Sequence, residues 1–98
     1  MTGGWFVGDF HPAIHVTPNF EACVKRYKQG DTEKPHYQKL ALEITVVISG
    51  RIRMGRKLFG PDDIIFLAPE EICDFEALED SVVIAVKSPS IPADKVLV

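Results

Sequence analysis

The chain has only two cysteines, Cys23 and Cys73, and they stand fifty positions apart with no CxxC or Cys/His finger spacing. That excludes a disulfide-stapled scaffold and a zinc finger, and it makes free thiols in a reducing cytosol the expectation. There is no apolar run long enough to span a bilayer. Met1-Thr2-Gly3-Gly4 lacks the basic and apolar regions of an export signal, so a cytoplasmic, membrane-free protein is expected. Excess positive charge is missing too. A net charge of −3 leaves no basic surface for nucleic acid, and the densest basic run, Arg51 to Lys57, reads as a solvated hairpin. A helical stripe is absent from every window.

What remains is β structure. Ninety-eight residues, 46% of them hydrophobic, make one domain with enough apolar surface to fold without cofactor or disulfide. A domain this small gains from association, so a homodimer is expected. Short alternating or β-branched runs recur between Gly, Pro, Asp and Asn breaks. Together they predict an all-β sandwich or barrel of about eight strands. Residues 1–19 read as an irregular, aromatic-rich N-terminal arm, with at best an edge strand at Trp5-Phe6-Val7, because prolines keep interrupting the ladder. Residues 20–87 carry the barrel, and residues 88–98 a proline-punctuated tail packed along the surface.

Within the barrel, Phe20 to Lys28 is a strand with Glu21, Cys23, Lys25 and Tyr27 on one face and Phe20, Ala22 and Val24 on the other. Thr32-Glu33-Lys34-Pro35 reads as a polar loop, followed by a strand or pair of strands from His36 to Ser49. Ser49-Gly50 is a tight hairpin turn. Ile64 to Leu67, Ile72 to Leu78 and Ser81 to Val86 complete the strands.

The spacing between Gly30 and Gly50 carries more than composition does. Gly30 is followed after five residues by His36, then by Gln38, then after four more by Glu43, and after six more by Gly50. This resembles the first signature of the cupin superfamily, G-x5-H-x-H-x(3,4)-E-x6-G, with Gln38 in place of the second histidine. A looser second match runs from Asp62 to Ala77 and sets Cys73 on that signature's histidine. The resemblance implies a small antiparallel jelly-roll barrel with a pocket between two sheets. It further implies that His36, Gln38, Glu43 and Cys73 stand where the family holds one divalent metal (Zn, Fe, Mn, Ni or Cu).

The donor set is mixed: an imidazole, a carboxylate, a thiol and a weak amide oxygen, a combination nearer to zinc or copper than to the harder metals. Against a metal role, Glu43 can pair with Arg51 or Arg53, and Cys73 can serve as a small core hydrophobe. Two functions follow. One is a cupin that binds a small polar ligand, such as a sugar or sugar acid, through His36, Gln38, Glu43 and Cys73, over an atypical or vestigial metal site. The alternative is a metal-dependent oxygenase, isomerase or lyase using His36, Glu43 and Cys73. His11 and His15 sit in the arm, where Pro12 prevents a shared helical face and surface roles are expected.

Overall fold

The computed structural model describes residues 2–98. After a single 3-10 turn at Thr2–Gly4, every regular element is a strand. In chain order these are β1 (Trp5–Gly8), β2 (His15–Val16), β3 (Glu21–Tyr27), β4 (Thr32–Gln38), β5 (Leu42–Ser49) and β6 (Ile52–Met54). They continue with β7 (Lys57–Phe59), β8 (Ile64–Leu67), β9 (Cys73–Ala77), β10 (Ser81–Ser88) and β11 (Lys95–Leu97). No helix among the described residues is long and apolar enough to cross a membrane.

The strands form two facing sheets. One has six strands in the order β2-β1-β3-β10-β5-β8, the other five in the order β11-β4-β9-β6-β7. Neighbours are antiparallel except β1 and β2. This is the all-β, double-sheet jelly-roll arrangement that the sequence resemblance implies. The core lies between the sheets, where Val47, Ile52, Phe75, Ala77 and Val83 are almost fully buried. Tyr27 packs on Phe75 with ring centroids 4.3 Å apart.

The hairpin at Ser49-Gly50 is present, and Gly50 has φ of 84°. A Cβ there would run into the Asp80 carbonyl and the Ser81 side chain, so the turn needs glycine both for its backbone and for space. Two expectations change. Thr32–Pro35 is not a loop but the first half of β4, with Thr32 opposite Glu76 and Glu33 opposite Phe75. A register shift between Glu33 and His36 absorbs Pro35, which cannot donate to the ladder.

The tail does more than cover a surface. Its β11 adds a strand beside β4, with Lys95 opposite Gln38 and Leu97 opposite His36. The buried Asp94 carboxylate accepts the backbone N–H groups of Leu40 and Ala41 at 3.0–3.1 Å. Those bonds clasp the short connection between β4 and β5, the two strands that carry His36, Gln38 and Glu43.

Candidate functional site

Strand register decides which side chains enter the space between the sheets. On β10, Val83, Ala85 and Lys87 stand opposite Lys25, Cys23 and Glu21 of β3 and opposite Val47, Thr45 and Glu43 of β5. On the other sheet, Glu33 and His36 of β4 stand opposite Phe75 and Cys73 of β9. Apolar side chains therefore fill one end of the interior. Charged and polar ones gather where β10 ends, β5 begins and β4 bends.

The resulting cavity is lined by His36, Glu43, Thr45 and Cys73, by Lys25, Lys87 and Lys95, by Tyr27 and Glu33, and by Trp5 of the arm, above an apolar floor including Met54 and Val83. Its enclosed volume is about 30 Å³, room for roughly two water molecules. Trp5 also forms a wall of an outer cleft of about 330 Å³ with Phe10, His11, Pro12 and Glu21. It thus separates the interior from the surface.

The charges inside are ordered. Tyr27 Oη donates to Glu33 Oε2 at 3.0 Å, and Lys25 Nζ lies 3.4 Å from the same oxygen. Burial pushes the Tyr27 phenol far above its ordinary value, and the adjacent Glu33 pushes it further, so the phenol is a donor throughout the physiological range. Burial alone would raise Glu33. Lys25 and the hydrogen bond from Tyr27 outweigh that and hold its carboxyl below the usual range.

The Lys25 and Lys87 ammonium groups sit 5.7 and 5.1 Å from the Trp5 ring centroid, within cation–π range. Among the described residues, neither Lys87 nor Lys95 has a carboxylate within salt-bridge distance.

The four residues singled out by the sequence meet at one end of the interior. His36, Glu43 and Cys73 line the main cavity, while Gln38 lines an adjoining space of about 10 Å³ that shares His36, Glu43 and Leu67 as walls. His36 Nδ1 is 2.9 Å from the Lys34 carbonyl. A proton on Nδ1 makes that bond and leaves Nε2 as the free acceptor. Glu43 accepts from Thr45 Oγ1 at 3.3 Å. It does not pair with Arg51 or Arg53, because Arg53 lies on the opposite face of the other sheet, bound to Asp74 and Glu76.

Gln38 is 7% exposed, and its Nε2 has no hydrogen-bond partner among the described residues. Burial, with help from Asp74 and Glu43, pushes the Cys73 thiol up, and Sγ donates to the Asp74 carbonyl.

This donor set does not fit a metal. Among the described residues, no group of three or more His, Cys, Asp or Glu side chains is placed to hold an ion. The remaining donor, Gln38, is a neutral amide.

Lys25, Tyr27, Glu33, Lys87, Lys95 and Trp5 belong to the site and were not singled out from sequence. Alternation places Lys25 and Tyr27 on one face of β3 with Cys23, a usable signal, but it does not say which face is inside. Lys95 and Trp5 arrive from the two chain ends by tertiary packing alone. Of the arm histidines, His11 lines the outer cleft and His15 is exposed on β2.

No family model matches the sequence, and no curated protein matches it. Solved structures do. KdgF from a Halomonas species aligns with 25% identity over 76% of this chain and 74% of its own, with a TM-score of 0.72. A conserved double-stranded β-helix domain protein from Klebsiella pneumoniae gives 19% identity, 83% and 71% coverage and a TM-score of 0.75. An RmlC-like cupin from Shewanella frigidimarina gives 15% identity, 78% and 71% coverage and a TM-score of 0.73. Its two-sheet topology and these structural neighbours give the chain the double-stranded β-helix fold of RmlC-like cupins, the fold that the spacing from Gly30 to Gly50 implies.

Proposed function

We propose that this protein binds a small, hydroxylated, anionic ligand at the Trp5 end of the barrel interior, and that its metal position is vestigial. The observation that carries this reading is the pair Lys87 and Lys95, two ammonium groups lining the polar end of the cavity with no carboxylate in salt-bridge range among the described residues. A cation in such a place contributes little to folding and much to recognising a carboxylate or phosphate.

Around it stand groups suited to hydroxyls: Glu43 as acceptor, His36 Nε2 as acceptor, and the Tyr27 phenol oxygen, whose proton is given to Glu33, as a further acceptor. A sugar acid combines both features. The positions that hold a metal in related barrels then serve as hydrogen-bonding groups. Trp5 offers a flat apolar face for a pyranose ring, and its displacement enlarges a cavity that is otherwise water-sized.

Isothermal titration with a panel of sugar acids and their neutral parent sugars tests the reading. Binding is expected for the acids only. Lys87→Gln should weaken it by about 10- to 100-fold, the scale of one charge-assisted hydrogen bond. Affinity should also fall as salt rises. Failure of every acid to bind, or equal binding of acid and neutral sugar, refutes the proposal.

A further inference from the structure

The two sheets differ on their outer faces. The five-stranded sheet shows the pattern expected of a sheet with one face in water: Arg53, Asp74 and Glu76 form an ion-paired cluster there. The six-stranded sheet does not. Its outward positions on β10 are Val82, Ile84 and Val86, and the residues opposite them on β5 include Ile44 and Val46. On β8, Phe66 stands opposite Ile44 and Ile64 opposite Val46. Ile64 is 69% and Phe66 58% exposed. On β3, Val24 continues the row beside Ile84, and Arg26 at the strand's far end is the one charge on it.

A sheet that is apolar on both faces is built to be covered on both. Among the described residues, the chain does not supply the cover over β10, β5 and β8. The arm pairs with β3, and the tail pairs with β4 of the other sheet.

We propose that a second copy of this chain covers this face, the two six-stranded sheets packing face to face about a two-fold axis near Ile84 and Val46. Such an isologous contact matches apolar rows to themselves and sets the sheets about 10 Å apart. Strands β3, β10, β5 and β8 span three steps of about 4.8 Å, and with side chains the face is roughly 20 by 20 Å in plan. Two such faces bury on the order of 800–1,200 Å², around the roughly 1,000 Å² that a specific dimer needs. Arg26 falls at the rim, where it stays solvated. The proposal is independent of what the barrel holds.

Light scattering coupled to size exclusion, at tens of micromolar protein, tests it. The expected wild-type mass is twice the 10.9 kDa of one chain. The double variant Ile64→Glu, Phe66→Glu should run as one chain with an unchanged far-UV spectrum, since both side chains are already exposed within the protomer. Leu58→Glu, an exposed position on the other sheet's outer face, should keep the dimer mass. A monomeric wild type overturns the proposal. So does a dimer that survives the double variant, or one that Leu58→Glu dissociates equally well.

Discussion

Gln38 offers the sharpest test of how the site is built, through Gln38→Met. The side chain is 7% exposed, and its amide Nε2 is buried without a partner among the described residues. A buried, unpaired N–H donor costs about 1–3 kcal/mol relative to water. Methionine has nearly the same length and removes the donor, so the side-chain volume is kept and no cavity opens. The expected net is a gain of about 1 kcal/mol, which for a domain of this size raises Tm by roughly 4–8 °C.

The backbone carbonyl of Gln38, which accepts from Glu70 N at 2.7 Å, is untouched by the change. Thermal and urea unfolding with an unchanged m-value would measure it. Gln38→Glu is the companion: a carboxylate beside Glu43 should destabilise at neutral pH and recover on acidification, because protonation relieves both burial and like-charge repulsion. A Gln38→Met variant that loses 1 kcal/mol or more refutes the reasoning. It would mean that the amide is satisfied in solution, by a water in the adjoining 10 Å³ space or by a bound ligand.

Two further outcomes follow from the same geometry. Glu33, held below its ordinary pKa, contributes stability that is present above about pH 4.5 and lost as pH falls, with the burial-raised Glu21 working in the opposite sense. Tyr27, held far above its ordinary value, contributes stability present below about pH 10 and lost as pH rises beyond it. Tm measured against pH should therefore fall on both sides, and Tyr27→Phe should flatten the alkaline limb and soften the acid one. Asp94→Ala removes the acceptor for the buried Ala41 N–H and the part-buried Leu40 N–H and should cost about 1–3 kcal/mol in a denaturant melt, with Asp94→Asn recovering part of it.

Much of this was legible in the chain itself. The turn at Ser49-Gly50, the strands on either side and the register of His36, Gln38 and Glu43 are local matters, settled by glycine conformation and side-chain alternation. So is the family spacing, because a strand–loop–strand of fixed length returns the same positions to the same end of the barrel. The polar stretch Thr32–Pro35 misleads for a physical reason: its prolyl residue and charges mimic a loop, while pairing with β9 and a register shift make it a strand. Glu43 misleads differently, since Arg53, close to it in sequence, is held by Asp74 and Glu76 on the other sheet's outer face.

The amino-acid sequence by itself determined that this is a small all-β domain with a histidine, an amide, a carboxylate and a thiol at family spacing. Only the tertiary structure decided that Gln38 lines an adjoining space while His36, Glu43 and Cys73 line the main one, that lysines from β10 and β11 and a tryptophan from the arm join them, and which face of each sheet is inside. The reason is that alternation has two phases and no sign. On the six-stranded sheet the outward phase is as apolar as the inward one, so only the partner sheet's position tells them apart.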